Sequence, residues 1–486
     1  MGGFTAARYP VTFAAMTQTV ELPLWIFILI LLFAAVTFAS HFLFPSVRWF
    51  FRKRMERAVA QLNQRLQRPI SPFKLARRYD MIQRLIYDPQ VAEAIVEHAR
   101  KGNLPENVAF ETARRYAREI VPSFSATAYF TIGTRVARWL SQSMYRVRVD
   151  AFDRDNLDHV DKDAAVIFVM NHRSNMDYVL VTYLAAGTGA LSYAVGEWAR
   201  IWPLSWMIRA MGAFFIRRQA RGALYRKVLA RYVQMATAGG VTQAVFPEGG
   251  LSLNGRIAPA RLGLLNYIVT GYHPGAREVI FVPVAFNYDR VLEDKFLIAA
   301  DKAGVRRFRP PILTLLGSFL RHLGLRLTGR FRKFGTAAVS FGRPLSLSEV
   351  LLSVEGDPTE AVGAALMARI AAVVPVLPVP LLARILLAGD VGTTKELASR
   401  VALALDGLRA RDVVVPQRDS ATVTADGMAI LLSRGLVALS GVQLSVPAAG
   451  TDILHYYAAS IAHHFESATT PETVADADVV AAMRQT

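Results

Sequence analysis

The 486-residue chain contains no cysteine. That absence excludes disulfides, thiolate nucleophiles, Cys-ligated zinc and Cys-bound iron–sulfur clusters together, so covalent chemistry must come from another side chain. Charge is scarce and lopsided: charged residues are 19%, and 56 Lys and Arg stand against 38 Asp and Glu, for a formal net charge of +18. Gly at 32 and Pro at 23 follow no short period, and no internal repeat is visible, which excludes collagen-like and low-complexity classes. There is no Walker phosphate loop, no His-Glu-x-x-His and no Gly-x-Ser-x-Gly. Hydrophobic residues reach 53% and the mean hydropathy is +0.28. A disordered chain is thereby excluded, and the length suggests two to four structural units. A basic, apolar-rich protein fits a partner that is anionic and greasy, such as a membrane surface. Nucleic acid is the rival reading of the charge, but no nucleic-acid motif accompanies it.

Residues 22–47 lack Asp, Glu, Lys and Arg, and the run Leu22 to Phe44 is long enough to cross a bilayer as one helix. Glu21 bounds it on one side. Arg48, Arg52, Lys53, Arg54 and Arg57 bound it on the other, with Trp49 and Phe50 at the interface position. Only Arg8 precedes it, so the positive-inside rule puts the C-terminal bulk on the cytoplasmic side of an inner membrane. The rival is a cleaved signal peptide, with Ala39 and Ser40 as small residues near a cut. No second run is as long, so one span is expected.

Residues 47–150 are strongly basic and helical in pattern. Pro89 opens a segment expected to end before Gly102, and Pro105 opens another that Pro122 closes. This region reads as a basic helical platform for an anionic leaflet; a solvated helical domain is the plainer alternative. From residue 164 the texture changes. Ala164–Met170, Gln243–Pro247, Glu278–Phe286 and Thr336–Gly342 read as strands, with helical stretches such as Arg221–Ala238 between them. That alternation predicts an α/β domain with a mixed, largely parallel sheet flanked by helices. The expected organisation is an extracytoplasmic N-terminus (1–21), a transmembrane helix (22–46), a basic helical domain (47–150), the α/β domain (151–345) and a helical C-terminal region (346–486) whose residues 401–486 are net acidic. Val373–Leu387 is apolar but too broken by proline to be a second span.

Four blocks carry candidate chemistry. Asn171-His172-Arg173-Ser174-Asn175-Met176-Asp177-Tyr178 directly follows the first strand, where α/β sheets place their sites. An imidazole beside a carboxylate is a general base whose tautomer the carboxylate fixes. The plainer reading makes Ser174 and Asp177 a capping box that only starts the next helix. Gly212-Ala213-Phe214-Phe215-Ile216-Arg217-Arg218 is an apolar run that can deliver two guanidinium groups to a phosphate, or can simply end in solvated charge. Glu248-Gly249-Gly250, followed by Arg256, is a glycine turn whose amides could hold phosphate, or an ordinary tight loop. Val282-Pro283 through Asp289-Arg290 places a proline in an apolar run, which argues for an edge strand or a bulge.

Together and in this order, the blocks resemble the glycerolipid acyltransferase superfamily. They are most similar to its bacterial and mitochondrial glycerol-3-phosphate acyltransferase branch, as is the C-terminal run Ile453 to His463. The resemblance covers about 110–465. It implies an acyltransferase domain and transfer of a fatty acyl group from acyl-CoA or acyl-carrier protein to the sn-1 hydroxyl of glycerol 3-phosphate. It implies His172 as the base, Asp177 as its orienting carboxylate, and Arg217 with Glu248, Gly249 and Gly250 as acceptor-binding positions. Arg218 and Arg256 join that set on charge. No metal or cofactor beyond the acyl donor is implied, and membrane phospholipids are the expected surroundings. The branch usually carries arginines within the third block; here those positions are Leu251 and Leu253. Dihydroxyacetone phosphate or a lysophospholipid therefore stand as alternative acceptors, and a catalytically silent lipid-binding scaffold as the alternative from another class. Trp198, Trp202 and Trp206 read equally as an interfacial patch or as core. His455, His463 and His464 match no metal pattern and read as structural.

Overall fold

The computed structural model of the protein describes residues 21–150, 160–196, 204–217, 222–304, 324, 328, 333–389 and 391–466. The chain divides into two compact units, Met1–Arg65 and Leu66–Thr486.

Among its described residues the first unit holds one helix, Leu24–Asn63, of 40 residues. It starts behind Pro23, which is well suited to a helix N-terminus, and no glycine or proline interrupts it after Ser46. The expected boundary near 46 is thus not a helix boundary. The apolar side chains Leu24, Trp25, Phe27, Ile28 and Phe33 are all exposed along it. Among the described residues, no helix is long and apolar enough to cross a membrane. The side chains of residues 39–48, the second half of the apolar run, lie outside the described set.

The second unit is built on an eight-stranded sheet: β1 (Arg146–Asp150), β2 (Ala165–Met170), β3 (Ser192–Gly196), β4 (Phe214–Ile216), β5 (Gln243–Val245), β6 (Val279–Tyr288), β7 (Thr336–Phe341) and β8 (Leu345–Ser346). The order is β1-β7-β6-β2-β5-β3-β4, with β8 also on β6. Pairing is parallel except where β7 and β8 meet β6, so the sheet is mixed and mostly parallel. Its first strand lies before residue 151, earlier than the expected domain start.

All six residues of β2 are buried, as a strand covered on both faces must be. Their alternation divides the core. Ala165, Ile167 and Val169 join one apolar layer with helices Arg78–Ile86, Pro89–Gly102, Glu106–Ile120 and Ala223–Ala238. Val166, Phe168 and Met170 join the other with helices Met176–Leu184, Pro378–Leu387, Thr394–Arg409, Ser420–Ser433 and Ala448–Ala459. Helices Arg78–Ile86, Pro89–Gly102 and Glu106–Ile120 therefore cover one face of the sheet, together with Leu347–Ser353 and Pro358–Ala372, and the C-terminal helices from Pro378 onward cover the other. Val373–Leu387 belongs to this core: helix Pro378–Leu387 is buried along almost its whole length.

Two expectations change in detail. The left-handed residue ending helix Pro89–Gly102 is Asn103 (φ 47°), not Gly102. Asn tolerates that conformation because its short polar side chain bonds locally. And β6, which carries Pro283, is a central strand rather than an edge. Its antiparallel neighbour changes there, from β7 (Val284 opposite Phe341) to β8 (Phe281 opposite Leu345). Pro283 O accepts from Gly342 N at 2.9 Å in that gap, so the proline's missing N–H falls on a break in the ladder.

Candidate active site

The first block begins where β2 ends. Asn171 continues the strand with its side chain: Nδ2 donates to Phe286 O at 3.0 Å, and Oδ1 accepts from Phe286 N at 2.7 Å. This pins the turn to β6. His172 follows with its ring nearly buried, packed on Phe246 (ring centroids 4.2 Å apart) and edge-on to Tyr178 (5.3 Å).

His172 Nδ1 lies 2.9 Å from Asp177 Oδ2. A carboxylate only accepts, so Nδ1 carries the hydrogen and Nε2 keeps its lone pair. The same Oδ2 accepts from Arg173 N at 2.7 Å and Ser174 N at 3.0 Å, while Ser174 Oγ accepts from Met176 N at 3.2 Å. The buried Asp177 carboxylate thus holds the turn ahead of helix Met176–Leu184, whose N-cap Asn175 has no side-chain cap, and the same oxygen lies against the imidazole. Its other oxygen, Oδ1, accepts from the Tyr288 hydroxyl.

Glu248 closes the turn from the β5 side. Its Oε1 accepts from His172 N at 2.8 Å and its Oε2 from Ala258 N at 3.0 Å. The carboxyl is buried, and burial pushes it above the ordinary range against the pull of these N–H groups and of Arg173. Glu248 thus braces backbone around the histidine. Gly249 sits at φ 70°, and a Cβ there would meet Arg261 Cδ at 2.5 Å. Gly250 follows it, half-buried. The loop then returns to the site: Ser252 N donates to His172 O at 2.9 Å. Leu251 and Leu253 pack partly buried against the apolar core.

The cations are placed unequally. Arg173, buried, donates to Gly255 O and, at 3.0 Å, to Ser460 O, which ties the turn to the C-terminal region. Arg256 is exposed and paired with Glu466 at 2.9 Å. Arg217 ends β4, three places along the sheet from β2, and forks onto Glu119 (Nε–Oε1 2.8 Å, NH2–Oε2 2.6 Å). Among the described contacts it does not meet the His172–Asp177 pair. Arg218, Trp198 and Trp202 lie outside the described residues; Trp206 is exposed.

The C-terminal region packs against the site. Tyr457 donates to Asp294 at 2.6 Å, and Arg434 pairs with the same carboxylate. His463 Nε2 and His464 Nε2 lie 3.0 and 2.9 Å from the carbonyls of Ala371 and Val374, a structural role. Two partners, Glu293 and Tyr288, escape sequence reasoning, while Asp289 of the fourth block takes a structural role. Glu293 accepts from Ser174 Oγ at 2.8 Å and Asn175 Nδ2 at 3.0 Å. Asp289 accepts from Thr336 N at 2.7 Å and Val379 N at 3.0 Å, joining β7 to helix Pro378–Leu387. Tyr288 is in the fourth block, but no spacing links it to residue 177.

A family model described as acyltransferase matches residues 151–287, and one described as glycerol-3-phosphate acyltransferase C-terminal region matches 324–469. The chain is similar to proteins named glycerol-3-phosphate acyltransferase. A protein of that name from Shewanella amazonensis is 30% identical over 311 residues, covering 63% of this chain and 37% of its own length. One from Pasteurella multocida is 29% identical over 287 residues, covering 57% and 34%. The matched stretch thus spans little more than a third of these relatives. A solved 1-acyl-sn-glycerophosphate acyltransferase from Thermotoga maritima is 19% identical, covers 54% of this chain and 83% of its own, and reaches a TM-score of 0.30, too low for its geometry to bear on this site. The two matched stretches are joined here by Arg173, which lies in the first and donates to Ser460 O in the second.

Proposed function

We propose that this chain is an O-acyltransferase that moves a fatty acyl group from acyl-CoA or acyl-carrier protein to the sn-1 hydroxyl of glycerol 3-phosphate, giving lysophosphatidic acid. The observation carrying this reading is the buried His172 Nδ1–Asp177 Oδ2 pair at 2.9 Å, at the carboxyl end of a central parallel strand. His172 Nε2 takes the proton of the acceptor hydroxyl as its oxygen bonds to the thioester carbonyl carbon. The C–S bond then breaks, and the imidazolium returns the proton to the leaving thiolate. No acyl-enzyme is required, which suits a chain without cysteine. General-base assistance of this kind typically contributes ~10²–10⁴-fold, and positioning of the two substrates supplies the rest.

Arg217, Arg218, Arg256 and the Gly249–Gly250 turn are proposed to serve the acceptor phosphate, and Glu248 to hold the turn in place. The apolar run Leu22–Phe44 is proposed to anchor the chain in the inner membrane with the catalytic unit on the cytoplasmic side, among membrane phospholipids. Leu251 and Leu253 favour a second reading of the acceptor. With apolar side chains where the family resemblance implies arginines, dihydroxyacetone phosphate or a lysophospholipid replaces glycerol 3-phosphate.

The test is acyl transfer by the detergent-solubilised chain, with the three acceptors side by side and both donors. His172→Ala is expected to lower transfer by at least about 10²-fold while the chain remains folded. Full activity in that variant would sink the base assignment. Activity on one of the other acceptors alone would move the reading to the second, and no transfer to any acceptor would leave a lipid-binding scaffold.

A further inference from the structure

The chemistry above uses one oxygen of Asp177. The other is held by a residue that none of the motif readings assigns. Asp177 Oδ2 serves His172 Nδ1, Arg173 N and Ser174 N, whereas Oδ1 accepts from the Tyr288 hydroxyl. Both residues are fully buried. A phenol has one proton to give and a carboxylate none, so the donor is unambiguous.

The hydroxyl is also well anchored. Tyr288 lies in β6, paired with Ala337 of β7. Its ring meets Tyr145 edge-on at 5.5 Å, and the Tyr145 hydroxyl donates to Arg290 O at 2.8 Å. Burial and the neighbouring Asp177 charge both push the Tyr288 phenol well above its ordinary range, so it keeps its proton at any working pH. Asp177 is placed by a helix start and Tyr288 by a central strand, so two separate elements converge on one carboxylate.

We propose that Tyr288 is a positioning residue for the base: its hydroxyl fixes the plane of the Asp177 carboxylate, so that Oδ2 holds His172 and the Nε2 lone pair faces the acceptor. This inference rests on the reading of His172 as the base. Without the hydroxyl, Oδ1 becomes a buried carboxylate oxygen lacking that donor. The carboxylate then turns toward whatever donor remains, and any turn about its own axis draws Oδ2 away from Nδ1. A misaimed base slows the chemical step without loosening either substrate.

The experiment compares the full chain as wild type, Tyr288→Phe and His172→Ala, using the acceptor and donor that wild type accepts. Tyr288→Phe is expected to lower kcat about 10- to 100-fold, the scale of a lost hydrogen bond to a charged group, with KM for both substrates within about twofold. Histidine-selective 15N NMR should show the His172 Nδ1 signal displaced in Tyr288→Phe, with the His463 and His464 signals unmoved. Wild-type kcat, or an unmoved His172 signal, would overturn the proposal while leaving the base intact. Full activity in His172→Ala would remove the base reading and this inference with it. Should Tyr288→Phe fail to fold, 3-fluorotyrosine at position 288 keeps the shape and makes a stronger donor. The His172 Nδ1 signal must then move in that protein, and its constancy would equally overturn the proposal.

Discussion

At the scale of single residues, two of the arginines proposed for the acceptor, Arg217 and Arg256, are already engaged. Arg217 is partly exposed and forked onto Glu119, itself nearly buried. A phosphate that binds Arg217 has to compete with that carboxylate. Glu119→Gln is therefore expected to lower KM for a phosphorylated acceptor by about two- to fivefold, the worth of a partly exposed ion pair, while Arg217→Ala raises it. Initial-rate kinetics against glycerol 3-phosphate decide it, and an unchanged KM in both variants would take Arg217 out of the acceptor site. Glu248 gives a prediction of the opposite kind. Its carboxylate takes one buried and one half-buried backbone N–H group, so Glu248→Ala leaves both without that acceptor. A loss of about 2–5 kcal/mol is expected, read by thermal or denaturant unfolding, with activity falling in step. How far these roles can be read from sequence differs by residue. His172 and Asp177 are close in the chain, and their spacing alone brings them together across a strand-to-helix turn. Glu248 and Tyr288 act through contacts between residues 76 and 111 apart in sequence, and no local pattern encodes those.

At the scale of elements, the loop after β5 is fitted against helix Ala448–Ala459. Gly255 lies at φ 83°, and a Cβ there would run into the Tyr456 carbonyl. Gly255→Ala therefore has to strain the backbone and displace the helix together. We expect it to cost about 2–4 kcal/mol and to depress transfer by loosening the Arg173 contacts to Gly255 and Ser460. Unfolding curves beside Gly222→Ala, where a Cβ meets nothing within 4 Å, would isolate the effect. The last turn of the C-terminal region carries a pH dependence. Burial, reinforced by the adjacent His464, brings His463 down from 6.5 to about 3. The unfolded chain therefore takes up this proton first, so the stability His463 contributes is complete above about pH 6.5 and is lost as the pH falls toward 3. Between pH 7 and pH 5 the loss from this residue is about 2 kcal/mol, and His463→Gln should flatten the fall in unfolding midpoint accordingly. The elements themselves were largely legible: an all-apolar run forms β2, and helix Glu106–Ile120 begins just after its proline. The central place of β6 was not, because local reading cannot know that Pro283 would face a change of partner strand.

At the scale of the whole molecule, the two compact units separate the proposed tasks. The first offers a 40-residue helix with exposed apolar side chains; the second contains the sheet and the site. A chain trimmed before Leu66 is expected to fold and to keep His172-dependent transfer from soluble substrates. It should bind anionic vesicles only through charge, and so be released as salt rises from 0.05 to about 0.5 M, whereas the full chain stays bound. Vesicle co-flotation at the two salt levels checks this, and salt-resistant binding by the trimmed chain would place the anchor elsewhere. The α/β class and the cover of helices on both faces were readable from the alternation of strands and helices. The division of labour between the faces was not, since charge in residues 47–150 says nothing about which side of the sheet those helices cover.

The double use of Asp177 bears on how such sequences should be read in bulk. The carboxylate keeps a structural task even where no proton is moved, because it accepts from Arg173 N and Ser174 N in the turn ahead of helix Met176–Leu184. The backbone bonds of His172 to Glu248 and Ser252, by contrast, would be made by any residue at that position. A descendant of this fold released from catalysis is therefore expected to shed its histidine early and its aspartate late. The aspartate is thus a marker of ancestry, and the histidine is the better marker of a working enzyme.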